Sequence, residues 1–431
     1  MENSGKNQIR RSIYESVEKH LDESEITLIV GPRQVGKTTL MKGLMEELIK
    51  KGEKAIYLSL DDESATSFFE SQDRLIERLR FEFGDTKGFV FIDEIQRKEN
   101  AGLFLKGIYD RNLPWKLVVS GSGSLELKEK IHESLVGRKR VFELLPVGLG
   151  EFMDWKTDYR YSGRLGEFAR IESVAADSLL REYLAFGGYP RVVLSETTSE
   201  KTAVLDELYS SYVIKDISYL LKIDRPESYT LLIKYLAANT GRMLKLDQLA
   251  GSANVSVPTV KKYLWYADQT YITRLVTPFF TNKNKELTKM PVPYFLDLGI
   301  RRYSNGDIGN PENVFSDGFG FQNLVMSILL AGLNKPFSIH YWRTRNKAEV
   351  DFVVRVGNEV FPVEVKASNL SRPVIGRALR SFISEYKPKT ALVVNLSLSH
   401  EEKIDGTRVV ISPVMSLLDH GVSLFLGGAK K

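Results

Sequence analysis

The chain has 431 residues, of which 43% are hydrophobic and 27% charged, with a formal net charge of +5. That length suits two or three domains, and the composition is that of an ordinary globular chain with no bias toward disorder. The lack of cysteine excludes disulfides, thiol catalysis and cysteine-bound zinc or iron–sulfur centres, and it suits a reducing cytoplasm.

His20, His132, His340, His400 and His420 are scattered without ligand spacing, which argues against a histidine-centred metal site or a Ser-His-Asp triad. The polar N-terminus has no apolar core of a secretory signal. No run of about 18 apolar residues is present to span a bilayer. The expectation is a cytoplasmic protein with no membrane partner. The small basic excess is compatible with a nucleic-acid partner, but local clustering matters more than the total.

Taken in chain order, residues 1–22 read as an amphipathic helix with Ile9, Ile13, Val17 and Leu21 on one face. From Thr27 to Pro146 short apolar runs alternate with helix-periodic stretches. Strands are predicted at Thr27–Val30, Ala55–Leu60, Phe89–Ile92 and Lys116–Val119, and helices at Met41–Lys50, Leu75–Phe83 and Ala101–Tyr109. Short buried strands between helices specify a parallel α/β sheet. After Pro146 the pattern turns helical, at Leu179–Ala185, Lys201–Leu221 and Ser228–Asn239, with Gly187-Gly188-Tyr189-Pro190 as a break. From Phe315 it becomes helix, strands, helix, strand. Three domains are expected, at 1–146, 147–300 and 301–431, closely packed because no low-complexity linker separates them.

Gly31-Pro32-Arg33-Gln34-Val35-Gly36-Lys37-Thr38 fits GxxxxGK[ST] at every fixed position. It stands after an apolar strand and opens a helix, where a P-loop belongs. The glycines let backbone N–H groups turn inward on phosphates, and the helix N-terminus adds positive potential. Lys37 would reach the β- and γ-phosphates of ATP, Thr38 would take a magnesium position, and Thr39 follows in the same turn. Asp93, ending the run Phe89-Val90-Phe91-Ile92, would hold the magnesium through water. Glu94 beside it suits a base that orients the attacking water, which argues for hydrolysis.

Three further residues carry open alternatives. Ser120, at the end of its strand, is either a polar sensor of the γ-phosphate or part of a Gly/Ser turn. Arg138, in Gly137-Arg138-Lys139-Arg140, is either the cation that neutralises transition-state charge or part of a solvated basic cluster. Arg33 adds positive charge within the loop, with no target assigned.

The runs GPRQVGKTT, FVFIDEIQ, VVSGSGS and ESLVGRKRVFELLPVGLGEF resemble the AAA+-type ATPases of bacteria and archaea that carry a C-terminal restriction-endonuclease-like domain. AFGGYP shares in the resemblance, which covers essentially the whole chain. It implies a central sheet whose P-loop strand is flanked by the Ser120 and Asp93 strands, and a winged helix in the middle region. It also suggests ring-forming homo-oligomers, although a monomer closing on its own C-terminal domain fits one sequence equally well.

The middle region supports the winged helix. Leu246–Ala253 reads as a short helix, and Ser256 can cap a second, with Pro258 in its first turn. Val257, Val260, Leu264 and Ala267 would be its buried stripe, leaving Thr259, Lys261, Lys262 and Tyr266 on exposed arcs. Tyr271–Phe280 and the basic stretch after it resemble a wing. On DNA, duplex or branched, Lys261, Lys262, Lys283, Lys285 and Lys289 would contact phosphates. The alternatives are a protein–protein module or a lid beside an ATPase, with the lysines an ordinary solvated face.

Near the C-terminus, Glu349–Val354 and Phe361–Lys366 read as strands joined at Gly357-Asn358. Period-2 alternation puts Glu364 and Lys366 on one face, and the hairpin brings Asp351 near them. This set resembles the D…ExK core of the restriction-endonuclease-like fold, where acids hold magnesium and lysine steadies the attacking water. Helices at Phe319–Leu333 and Val374–Tyr386 and a strand at Thr390–Leu396 flank it. Gln322 stands where such folds often carry glutamate, and a neutral amide weakens the hold on a divalent cation. An active nuclease, an inactive descendant and plain surface ion pairing all remain open on these residues.

The expected fold class is thus α/β: a P-loop parallel sheet, a helical and winged-helix middle, and an α/β nuclease-like end. The leading functional expectation is a Mg-ATP-driven switch or motor acting on nucleic acid. The alternatives are an ATP-regulated nuclease and an ATP-controlled interaction scaffold.

Overall fold

The structure, a computed structural model, describes residues 8–122, 134–211, 225–280, 290–308, 311, 313–333, 336–344, 346 and 348–420. The described residues up to Pro146 form one compact unit, and most of those from Val147 onward form a second. Among the described residues no helix is long and apolar enough to cross a membrane.

The first unit is built on five parallel strands: β1 Ile26–Gly31, β2 Ala55–Ser59, β3 Gly88–Asp93, β4 Trp115–Ser122 and β5 Lys139–Glu143, in the order β2-β3-β4-β1-β5. Every residue of β1 and of β3 is buried, as continuous apolar runs covered on both faces must be. The helix Lys37–Lys50 buries Leu40, Met41, Leu44 and Leu48, one stripe at helical spacing. The helix Gln72–Phe83 starts where the Ser71 hydroxyl accepts the Arg74 N–H at 3.2 Å.

Three expectations are corrected here. The P-loop strand β1 lies between β4 and β5, so the Asp93 strand β3 neighbours β4 instead of β1. β5 escaped the reading because Lys139-Arg140 opens it and only Val141 and Phe142 are strongly apolar. Among the described residues the N-terminal helix is limited to Tyr14–Lys19, followed by a 3₁₀ turn at His20–Asp22; residues 1–7 of that expectation lie outside the described residues. Ile9, Val17 and Leu21 are buried, but the backbone leaves the helix near Arg11, whose guanidinium bonds carbonyls of two loops.

The second unit contains the helices Leu149–Lys156, Ser173–Phe186, Thr198–Leu208, Pro226–Ala238, Leu246–Ala253, Val257–Gln269, Leu298–Asn305 and Gly318–Gly332. The expected continuation of a helix to Leu221 lies outside the described residues. The eight strands of its sheet are β6 Thr273–Pro278, β7 Val292–Phe295, β8 Ser338–Arg343, β9 Glu349–Val356, β10 Glu359–Val365, β11 Thr390–Asn395, β12 His400–Ile404 and β13 Thr407–Pro413. They are ordered β12-β13-β11-β10-β9-β8-β6-β7. The helix Arg377–Tyr386 packs on this sheet through Leu379, Phe382 and Ile383, against Phe279, Trp342, Val353 and Val393.

That sheet corrects the expected boundary at residue 300. The cut falls inside the helix Leu298–Asn305, and β6 pairs parallel with β8 through Thr277 with His340 and Pro278 with Tyr341. The two stretches therefore share one sheet. Its edge strand β7 is sealed by Asn323, fully buried, which accepts the Phe295 N–H at 2.8 Å and donates to the Phe295 carbonyl at 2.7 Å.

The Gly187-Gly188 break has a packing reason. A Cβ on Gly188 would sit 1.9 Å from the Val147 carbonyl oxygen, and one on Gly187, at φ +74°, would sit 2.5 Å from Asp297 Oδ1. Asp297 accepts the Gly188 N–H at 2.7 Å and caps the helix Leu298–Asn305 through the Ile300 N–H at 2.8 Å. No cation is needed, because fixed backbone donors satisfy the buried carboxylate. Asp297→Ala leaves those donors unpaired and is expected to cost about 2–4 kcal/mol. Scanning calorimetry at neutral pH should show a transition lowered by several degrees, roughly 2–4 °C per kcal/mol.

Candidate functional site

The loop between β1 and the helix Lys37–Lys50 turns on two left-handed residues, Gln34 at φ +60° and Gly36 at φ +95°. Gly31 must be glycine, since a Cβ there would lie 2.0 Å from the Leu144 carbonyl oxygen. Pro32 and Val35 are buried, Arg33 and Thr38 half-buried, and Gln34 and Thr39 exposed. Lys37 is buried and donates to the Gly31 and Pro32 carbonyls of its own loop at 3.2 and 2.8 Å. Burial pulls its ammonium down to about 8, against the opposing pull of Glu94 and Asp93. An ammonium so poorly solvated gains much from an anion placed in the loop.

Asp93, buried at the end of β3, receives donors from four directions. Its Oδ2 accepts the Thr38 hydroxyl at 2.7 Å and the Tyr57 hydroxyl at 2.5 Å. Its Oδ1 accepts the Ser120 hydroxyl and, at 3.1 Å, the Glu94 N–H. Thr38 and Asp93, 55 residues apart, thus meet at the mouth of the loop. A hydroxyl and a carboxylate are hard oxygen donors of the kind Mg²⁺ takes, so these residues fit that ion.

Glu94 takes the left-handed conformation at φ +57°, ψ +41°. Such a backbone is costly for a non-glycine residue and is held only where its surroundings over-determine it. Here the Glu94 N–H is drawn to Asp93 and, at 3.4 Å, to Ser120 Oγ, while the carboxylate accepts from the Gln96 amide. The turn swings Glu94 out of the strand line beside Asp93.

Lys37, Thr38, Asp93, Glu94 and Ser120 come together as a single constellation. Arg138 does not join them. The parallel register sets Lys139 opposite Ile26, at the start of β1, whereas the loop follows Gly31 at its end. Five residues of strand separate the two ends by roughly 16 Å at about 3.3 Å per residue. Arg138 instead forks onto Asp110, with Nε to Oδ1 at 2.6 Å, and that carboxylate raises its pKa above the ordinary range. Arg138 therefore lies away from the loop of its own chain.

Three participants escaped the sequence reading. Tyr57 passed as an ordinary strand residue. Gln96 lay in the quoted FVFIDEIQ run, where a carboxylate two residues before an amide was a usable signal. Arg11 donates to the Val35 carbonyl at 2.9 Å and the Leu145 carbonyl at 2.6 Å, bracing the loop from 24 residues away with no local signature.

In the second unit, the helix Val257–Gln269 buries Val260, Tyr263, Leu264, Tyr266 and Ala267. Tyr266, expected on an exposed arc, is buried, with the Lys262 ammonium over its ring at 5.5 Å. Val257 is only half-buried, and Lys261 and Lys262 are exposed. Ser256 Oγ accepts the Thr259 N–H at 3.3 Å, a helix cap. Lys283, Lys285 and Lys289 lie outside the described residues.

The C-terminal set is also assembled. Gln322, from the helix Gly318–Gly332, donates its amide to Asp351 Oδ1 at 2.9 Å, and the Val365 N–H reaches Asp351 Oδ2 at 2.7 Å. Lys366 Nζ lies 2.6 Å from Glu364 Oε1. Burial pushes Asp351 up to about 7, opposed by the Val365 N–H and reinforced by Glu364. Among the described residues no three His, Cys, Asp or Glu side chains cluster as a metal cage.

Comparison with known proteins follows the two units. A family model described as AAA domain matches residues 23–153. Two models described as domains of unknown function, DUF8612 and DUF4143, match 177–308 and 317–416. An uncharacterized protein of Mycobacterium tuberculosis is 26% identical over 379 residues, covering 86% of this chain and 76% of that one. One of Methanocaldococcus jannaschii is 25% identical over 349 residues, covering 79% and 75%. Among solved structures, the replication initiator DnaA bound to AMPPCP and single-stranded DNA aligns over 61% of this chain and 90% of its own, at 17% identity and a TM-score of 0.32. Residues 23–153, where the phosphate loop meets the acidic end of β3, are thus similar to an AAA domain.

Proposed function

We propose that the chain is a magnesium-dependent ATPase of the AAA+ kind that works as a nucleotide-driven switch or motor on nucleic acid. The observation that carries the reading is the 2.7 Å contact of Thr38 with Asp93, which brings the phosphate loop and the acidic strand end into one site. Amides of the loop and Lys37 bind the β- and γ-phosphates, the ammonium leaving its carbonyl partners for the triphosphate. Magnesium held by Thr38 and Asp93 would supply neutralisation of the charge on those phosphates. Glu94, fixed by its left-handed backbone and by Gln96, orients a water and accepts its proton. Ser120 holds Asp93 and the Glu94 N–H in register, so its part is to position the acids. The cation that completes charge neutralisation comes from elsewhere than Arg138 of the same chain, which a homo-oligomer would allow. Exposed Lys261 and Lys262 on a capped helix support contact with DNA phosphates, salt-sensitive by its nature.

Glu94→Gln keeps shape and loses basicity. Nucleotide binding should persist while turnover falls about 10²- to 10⁴-fold; phosphate release beside a binding titration measures both, and undiminished turnover refutes the assignment.

For the C-terminal region we propose a restriction-endonuclease-like fold that has lost metal-dependent cleavage. The Gln322 amide on Asp351 and the ion pair of Lys366 with Glu364 favour this reading over an active nuclease. Branched, single- and double-stranded DNA should stay intact with magnesium or manganese. Gln322→Glu adds a third oxygen anion and should create Mn²⁺ binding measurable by calorimetry. Cleavage by the unaltered chain that disappears with Lys366→Ala would overturn the reading.

A further inference from the structure

An ionised carboxylate has about four lone-pair positions, and in Asp93 all four face protein donors. Thr38 and Tyr57 hydroxyls share Oδ2, at 2.7 and 2.5 Å. The Ser120 hydroxyl and the Glu94 N–H share Oδ1. A carboxylate saturated in this way has no acceptor position left for a water carried by a magnesium ion. One donor must withdraw when the metal enters.

The four donors are not equally able to leave. The Glu94 N–H belongs to the backbone, and Ser120 is fully buried on the central strand β4. The Thr38 hydroxyl can turn a lone pair to a metal while still donating its proton to Asp93, so its departure is unnecessary. Tyr57 differs from all three. It stands on the edge strand β2, is half-buried, and its ring lies under the Lys42 ammonium at 5.4 Å, on the same helix that follows the loop.

We propose that Tyr57 is a displaceable latch on the metal site: its hydroxyl donates to Asp93 and gives up that acceptor position to a magnesium-bound water on loading. Tyr57 is thus a positioning residue that sets how much magnesium the site requires. It keeps Asp93 satisfied and aimed at Thr38 before the ion enters, and it competes with the ion for one oxygen. The inference rests on the nucleotide-site reading above and adds a residue to it.

The experiment is a magnesium titration of the binding of a non-hydrolysable fluorescent ATP analogue to the full chain, comparing the unaltered protein with Tyr57→Phe. Phenylalanine keeps the ring against Lys42 and removes only the competing hydroxyl. The half-saturating magnesium concentration should fall about three- to tenfold, the worth of one hydrogen bond, while analogue binding in excess chelator stays unchanged. Tyr57→Leu, which also removes the ring, should shift the requirement the same way. An unchanged or increased magnesium requirement in Tyr57→Phe overturns the latch and leaves the nucleotide site standing. Failure of the unaltered chain to bind the analogue at any magnesium concentration overturns both.

Discussion

The hydroxyl of Thr38 resting on the carboxylate of Asp93 is the contact on which the first unit's chemistry depends. It joins the start of the helix that follows β1 to the end of β3, a strand that does not pair with β1. The link is possible because β4 intervenes between β1 and β3, carrying Ser120 to a position where it supports Asp93 from the other side. A buried carboxylate is expensive unless its oxygens are paired. Asp93 is paired mostly by hydroxyls, which can reorient when a stronger ligand arrives.

Three buried or partly buried aspartates show how donor type decides the use of one side chain. Asp93 faces three hydroxyls and one N–H, an arrangement ready to be rearranged. Asp297 faces backbone N–H groups at the end of one helix and at a glycine pair. Those donors cannot move without unfolding the turn, so the residue is a fixed joint. Asp351 lies between them, with one backbone donor and one amide side chain, and burial pushes its carboxyl up to about 7.

The second unit is held as one body by modest means. Two register pairs between β6 and β8 extend the C-terminal sheet to the strands that follow the helix Val257–Gln269, and Asn323 seals the far edge. Nothing in the local pattern of residues 273–278 distinguishes a wing that stands alone from a strand that joins a neighbouring sheet. The pairing is decided between segments more than sixty positions apart, which period-2 alternation does not encode. The hairpin of β12 and β13 was a different matter. Asp405 and Gly406 both take positive φ, and Asp-Gly between alternating residues is a strong hairpin signal that the reading passed over.

The residues alone determined the local chemistry: a glycine-bracketed loop before a helix, an apolar strand ending in two acids, and a hairpin carrying Asp351, Glu364 and Lys366. These features are written in short stretches, because turn geometry, helix entry and strand alternation are set by neighbours within a few positions. Only the tertiary structure decided which strand lies beside β1, that Arg138 stands at the far end of the sheet, and that Tyr57 and Arg11 reach the groups they touch. Those outcomes depend on strand order and on side chains meeting across long loops. Their energy comes from pairing buried polar groups, and that demand names no partner until the chain has folded.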